Sequence, residues 1–270
     1  MAIVTISRGT YTGGMAVAEA LAAELGHPCV SREVVRDAAQ ESGVAEVTLQ
    51  ATLEEPPRFW QKTPGTIPAH LNLVRTALLK RAQGGDLVYH GYAGHLLLRG
   101  APHVLRARII ADDASRVAAA MRDKGLTEKQ ALEFVRRLDV QLAKWTRFLY
   151  GVDWQDPSLY DVVLNLEHVS VEEAVATLAG MTRLDAFQPT PQGRRAFADL
   201  LLSSTVWAAL SADPRTGSAN IRVAADGGAV FISGSAGNER VLRAVTEVAA
   251  QVTGVTGVTS EVGVGAHWQW

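Results

Sequence analysis

The stretch from Ile3 to Ala20, IVTISRGTYTGGMAVAEA, is an apolar run, a glycine-bearing turn and then an alanine-rich run. It predicts a strand that passes through a tight turn directly into a helix. This is the layout of a phosphate-binding loop, whose usual pattern is Gly-x-x-x-x-Gly-Lys-Ser/Thr. Gly9 and Gly14 keep the glycine spacing, while Met15 and Ala16 stand where the lysine and the magnesium-binding hydroxyl belong. Backbone amides at a helix N-terminus still cradle an anion through their unsatisfied N–H groups and the helix dipole. What is lost is the point charge on a transferred phosphoryl group and one magnesium ligand. The turn reads as built to hold a nucleotide and poorly equipped to use one.

The rest of the first 180 residues continues the alternation of strand and helix. Met15 to Leu25 has helical spacing and stops at Gly26, and Arg32 to Gln40 reads as a second helix. Glu54 to Pro68, with four prolines (Pro56, Pro57, Pro64, Pro68), reads as a long surface loop. A helix from Leu71 to Ala82, a strand from Asp86 to His90 and a strand from Val104 to Ile110 follow. Then come helices at Ala114–Arg122 and Thr127–Tyr150, a short strand at Tyr160–Asn165 and a helix at Val171–Leu178. The implied fold is α/β, a parallel sheet covered on both faces by helices. Met181 to Arg194 breaks the pattern with two prolines and a glycine, and is expected to link residues 1–180 to a module at 195–270. That module reads helix (Phe197–Leu210), strand (Ala219–Ala224), Asp226-Gly227-Gly228 turn, strand (Ala229–Ser233), helix (Asn238–Val252) and strand (Gly257–Val264). It is a small α+β unit of order αββαβ.

A chain of 270 residues, 47% apolar and 20% charged, buries a sizeable core and is comfortable as two domains. A net charge of -2 gives no electrostatic reason for a nucleic-acid partner. Cys29 is the single cysteine, which excludes an internal disulfide and a cysteine-rich zinc site; its apolar setting predicts a buried, inert thiol. His90, His95 and His103 invite a metal reading, but they lack the helical spacing with a carboxylate that zinc enzymes use, so no metal site is expected. With no signal-like N-terminus and no apolar run of about 18 residues, a soluble cytoplasmic protein without a transmembrane segment is expected.

Five segments together resemble the cytidylate kinase-like family over about residues 2 to 180. They are Ile6-Ser7-Arg8 with Thr12-Gly13-Gly14; Val88–Ala93 (VYHGYA); Ala111–Arg116 (ADDASR); Asp153-Trp154 with Asp156-Pro157; and Tyr160–Asn165 (YDVVLN). The resemblance implies a P-loop nucleoside monophosphate kinase fold that uses ATP and Mg2+ to phosphorylate CMP or a related acceptor. It places Arg8, Thr12, Gly13, Gly14 and Met15 at the nucleotide phosphates and Arg116 at the start of a lid facing the nucleotide. For Arg8 a structural ion pair is the alternative. The sequence departs from the family's pattern at Met15, at Ser31 (usually aspartate), at Tyr92 (arginine) and at Leu142 (the arginine of Asp-x-x-Arg, whose Asp139 is kept). Arg147, five residues beyond Leu142, is the best candidate to replace the lid cation, ahead of Lys144, Arg122 and Lys124; a solvated helix face is the bland alternative. Losing one such contact typically costs about 10²-fold in rate or more. Trp60, Trp145 and Trp154 are candidates to stack on a base, with core filling as the alternative. Tyr11, inside the loop, is placed to fill part of the cradle.

Ile221-Arg222-Val223, the Asp226-Gly227-Gly228 turn, Val230 to Gly234 and the closing Gly254 to Val262 resemble the BON domain over about residues 196 to 264. The resemblance implies a phospholipid surface or a protein as partner. Six arginines balance six acidic residues across 191–270, which favours protein docking or self-association over an anionic bilayer. The terminal His267-Trp268-Gln269-Trp270 is either an exposed anchor or part of the core. Three readings emerge: a phosphotransferase of this family, with catalysis weak or absent; a non-catalytic nucleotide-sensing or scaffolding protein whose second module docks a partner; or a lipid- or partner-binding adaptor whose first domain has no ligand.

Overall fold

The computed structural model describes residues 2–54, 66–91 and 93–265. Trp60, Pro56, Pro57, Pro64, Tyr92 and the terminal His267-Trp268-Gln269-Trp270 lie outside the described residues. A five-stranded, all-parallel sheet has the order β2-β3-β1-β4-β5, formed by β1 (Ile3–Arg8), β2 (Cys29–Val30), β3 (Leu87–Tyr89), β4 (Val104–Ile110) and β5 (Val162–Asn165). Its register runs Ile3 beside Leu87 on one side of β1 and beside Val104 on the other.

Helices cover both faces, so β1 is buried along all but its last residue. On one face Ile3, Tyr89 and Val104 pack with α2 (Glu33–Ser42), α3 (Glu46–Glu54) and α4 (Thr66–Ala82) through Val34, Leu49 and Leu78. On the other, Val4, Ile6, Leu105 and Ile109 pack with α1 (Gly14–Leu25) and α8 (Val171–Thr182) through Val17, Leu21 and Leu178. A one-turn helix α5 (Gly94–Leu97) follows β3, and α6 (Asp113–Lys124) with α7 (Glu128–Tyr150) projects beyond β4 as a helical pair. That pair has its own small core of Val117, Ala120, Ala131 and Val135. α7 starts at a capping box between Thr127 and Gln130.

The second module contains α9 (Pro191–Ala212), β6 (Asn220–Asp226), β7 (Ala229–Ala236), α10 (Glu239–Ala250) and β8 (Gly257–Val264). β6 and β7 form an antiparallel hairpin, and β8 joins β7 in parallel after α10 crosses over. The hairpin turn needs positive φ at both central residues, and Gly227 (57°) and Gly228 (92°) supply it.

Several element limits differ from the sequence reading. β2 is two residues long, too short to show alternation, and α3 and α5 carry no cap or periodic signal. α4 begins at Thr66, so Pro68 sits in its first turn, where a missing N–H costs nothing. The helix expected from Phe197 begins at Pro191, capped by the Thr190 side chain. Residues 181–194 therefore hold the end of α8, a 3-10 turn at Asp185–Phe187 and the first turn of α9. α9 also belongs to both cores: Phe197, Leu200 and Leu201 join the first, Val206 and Leu210 the second. Buried Asn72 and Ser204 exchange hydrogen bonds of 2.8 and 2.9 Å, and Thr76 meets the Ser204 hydroxyl at 2.7 Å. Among the described residues no helix is long and apolar enough to cross a membrane.

Candidate functional site

The carboxyl ends of β1, β2 and β3 open on a cavity of about 580 Å³. This is where parallel α/β sheets gather ligands, outside the strand ends and against helix N-termini. The loop between β1 and α1 forms one wall. Tyr11 and Gly13 both take left-handed backbone, with φ of 58° and 78°, so the chain reverses and α1 starts at Gly14 without a side-chain cap. Its first amides are left for another acceptor. Two close approaches explain the glycine pair: a Cβ on Gly13 would lie 2.8 Å from Leu166 Cδ1, and one on Gly14 2.7 Å from Arg8 Cβ. Thr12 is buried and donates its hydroxyl to the Gly9 carbonyl at 3.2 Å, closing the loop from inside.

The flank towards α6 and α7 is pinned by side chains. Arg116 donates Nε–H to the Thr10 carbonyl at 2.9 Å and clamps both Asp139 oxygens at 2.7 and 2.8 Å. A third contact reaches Asp113 at 3.4 Å, and the residue is only 8% exposed. Arg116, expected to face the nucleotide, is thus spent on the loop and on the Asp139 kept from Asp-x-x-Arg. Tyr11 does not fill the cradle. Its hydroxyl donates to Asp123 on α6 and its ring tilts against Phe134 of α7, with centroids 6.4 Å apart. The bond to Asp123 pushes the Tyr11 hydroxyl up to about 12.

The flank towards β2 and α2 is different. Arg8, at the end of β1, and Arg32, just past β2, both line the cavity, and neither side chain has an ion pair or hydrogen bond among the described residues. Partial burial, then the nearby Arg32, hold the Arg8 guanidinium below its usual value. Burial, then Arg8, lower His90 beside them. His95, at the back, is 4% exposed and pushed down to about 4 by burial, then by Arg106 and Arg108. It packs on Tyr160 with ring centroids 4.7 Å apart. Trp154 lines the same region, with the Arg108 guanidinium over its ring at 4.4 Å from the centroid. Both histidines are neutral at physiological pH.

Of the residues singled out from the sequence, Arg8, Thr12, Gly13, Gly14 and Met15 come together around the cavity, with Leu142 opposite. Arg147 does not: it is exposed at the end of α7 and pairs with Asp153 at 3.4 Å. Lys144, Arg122 and Lys124 do not line the cavity either, and Lys124 sits 3.3 Å from Asp123. Trp145 is core, donating to the Leu53 carbonyl and stacked on Phe148. His103 is apart from the other two histidines, accepting a bond from the Thr190 amide at 3.3 Å. Among the described residues no group of three His, Cys, Asp or Glu side chains is placed to hold a metal. Cys29 is half-buried, with burial raising its thiol. Arg32 was missed; it follows an unread strand, and its position past a strand end was the available signal.

Residues 3–168 match the cytidylate kinase-like family, and residues 198–266 match the BON domain. The chain belongs to the cytidylate kinase-like family. Among curated relatives, a cytidylate kinase of Ignicoccus hospitalis is 29% identical over 185 residues, 67% of this chain and 99% of the relative. One of Pyrobaculum aerophilum is 24% identical over 176 residues, 65% of this chain and 89% of the relative. An uncharacterized protein from Eubacterium ventriosum, solved by crystallography, shares the fold with a TM-score of 0.51 at 19% identity, covering 67% of this chain and 98% of that one. The family implies ATP and Mg2+ where its members are active. In this member Met15 and Ala16 offer no cation or hydroxyl, and no carboxylate lines the cavity among the described residues. Those residues do not fit a magnesium ion, which prefers oxygen ligands including carboxylates.

Proposed function

We propose that the kinase-like domain binds a nucleotide through its phosphate and transfers phosphoryl groups weakly or not at all. One observation carries this reading: Arg8 and Arg32 face the cavity without partners, while Arg116 is consumed by Asp139 and Thr10. The first pair supplies binding. The second removes a cation that phosphoryl transfer needs on the transferring group. Arg147 does not line the cavity and so supplies no replacement. ATP and a CMP-like acceptor are the nominal ligands by family membership. The reading is tested by calorimetry of the purified protein with ATP and CMP in the presence of magnesium, with ADP followed in the same sample. Binding without ADP is the expected result; ADP formation that depends on CMP would overturn the weak-catalysis reading, and no binding of either nucleotide would overturn nucleotide recognition.

For the BON module we infer protein docking or self-association. Phe231 is 48% exposed on the sheet face away from the helices, in a module whose charges balance. Sedimentation of the wild type and of Phe231→Ser tests self-association: loss of a concentration-dependent dimer in the variant supports it, and a monomer at all concentrations in the wild type removes it.

A further inference from the structure

The sheet of the second module is covered on one side only. Ile221, Val230, Ile232 and Val262 pack with Val206 of α9 and Val245 of α10 to form its core. The alternate positions are exposed and stand on the other face: Arg222 and Ala224 on β6, Phe231 and Ser233 on β7, Thr259 and Glu261 on β8. The register sets them in two rows across the strands, Arg222–Ser233–Glu261 and Ala224–Phe231–Thr259. The second row holds one large ring between two small side chains. The first holds a cation and an anion at its ends, about 10 Å apart across β7. Neither of these side chains makes an ion pair or hydrogen bond among the described residues. Asp226, further along β6, is by contrast taken by Arg195 at 2.6 Å.

This pattern is complementary to itself. A two-fold axis laid along β7 puts β6 of one copy over β8 of the other, as a self-complementary patch requires. Phe231 then meets Phe231, and Arg222 meets Glu261 twice, once in each direction. A two-fold axis laid across the strands through Phe231 instead sets Arg222 over Asp226, which Arg195 already holds, and Glu261 over Gly257. Charge complementarity selects the first axis. We propose that the occupant of this face is a second copy of the chain, docked about the axis along β7 with the two sheets stacked about 10 Å apart. The inference rests on the self-association reading above and gives it an orientation. Three strands of seven or eight residues cover about 350 Å². That is under half of the roughly 800 Å² per partner of a standard interface, so the dimer is weak and forms reversibly with concentration.

Sedimentation of the full chain and of charge-swapped variants at low ionic strength tests it. Arg222→Glu and Glu261→Arg each set like charges against one another on both sides of the axis, and each is expected to weaken the dimer about tenfold. The double variant, Arg222→Glu with Glu261→Arg, rebuilds both pairs in the opposite sense and is expected to return to the wild-type dissociation constant. Thermal melts of the dilute protein should not move, because neither side chain has a partner within the chain. A Glu261→Arg dimer as tight as the wild type would overturn the orientation and leave self-association standing. A double variant no tighter than the single ones would overturn it too, since the two charges would then not meet. A wild type that stays monomeric at all concentrations would overturn both the orientation and self-association, leaving the face to a different protein.

Discussion

Arg116 and Arg8 flank the same five-residue loop and have opposite fates. Arg116 is buried and makes four hydrogen bonds, three to carboxylates and one to the loop carbonyl of Thr10. Arg8 makes none among the described residues, and its stem lies across Gly14 so that its head reaches the cavity. A cation held by its own protein's carboxylates contributes to shape; one that meets only solvent at a cavity wall is free to meet an anion. On the proposed reading, Arg116 holds the loop to the α6–α7 pair, and the arginines of the β2–α2 flank are the ones left to meet an anion. In this family member the same residue type serves both ends, and only the partner list separates them.

The largest expected effect breaks the structural flank. Asp139→Ala leaves the buried Arg116 charge without its bidentate partner, and is expected to cost about 3 kcal/mol in urea unfolding. Replacing both, as Arg116→Met with Asp139→Leu, removes the charge together with its partner and should recover most of that loss. If Asp139→Ala unfolds at the wild-type midpoint, Arg116 is solvated and the contrast with Arg8 fails.

The next effect concerns the floor behind the binding flank, where His95 must stay neutral if Arg8 and Arg32 are to be the cavity's only cations among the described residues. Its folded value of about 4 lies below the ordinary 6.5 of the unfolded chain, so folding excludes a proton. The resulting stability is fully present above pH 6.5 and is lost as pH falls through about 4. It amounts to about 3 kcal/mol. His95→Leu should flatten this acid limb in unfolding titrations between pH 7 and pH 4. An unchanged limb would mean that His95 protonates freely and adds a third cation to the cavity.

Gly14→Ala sharpens the comparison from the binding side alone. The added methyl meets Arg8 Cβ at 2.7 Å and Ile109 Cβ at 3.3 Å, so α1 must shift away from the end of β1 and the Arg8 stem with it, whereas nothing on the α6–α7 flank is touched. CMP affinity is expected to fall about tenfold, near 1.4 kcal/mol, together with a lower melting temperature, because the methyl overpacks the β1–α1 contact. Equal affinity in the variant would show that Arg8 does not contact the phosphate.

How much of this was readable beforehand follows from the length of each signal. β1 with its turn, the long α7 and the glycine hairpin carry periodicity or turn chemistry over several residues, and each was placed within a few positions. β2 is two residues long, and missing it hid Arg32, half of the proposed binding pair. α9 was read as one module's helix because its apolar positions are periodic throughout; that its two halves bury in different cores is a tertiary fact. The glycine spacing pointed to Arg8 through Met15, and those residues line the cavity. Whether an arginine there was free or spent was not legible, because Arg116 and Asp139 lie 23 residues apart and their pairing depends on how α6 packs on α7.

The smallest effect tests whether the structural flank also sets the loop's conformation. Tyr11 is held at φ 58°, a region disfavoured for residues other than glycine, and its hydroxyl bond to Asp123 is one of the contacts that keeps it there. Phenylalanine retains the ring against Phe134 and removes only the bond, whose acceptor is at the surface, so the melting temperature should move by little. The titration is the sharper readout. Because the folded tyrosine is raised to about 12 from 10, the bond contributes at all pH values below 10 and is lost as pH rises through 12. Asp123→Asn should bring one tyrosine back towards 10 in an absorbance titration, and Tyr11→Phe should remove that same transition. If CMP affinity stays constant in both variants, the loop is shaped by its glycines and by Arg116 alone; if it falls, Tyr11 is a positioning residue, and the flank that makes no contact with the anion still determines how well the other flank holds it.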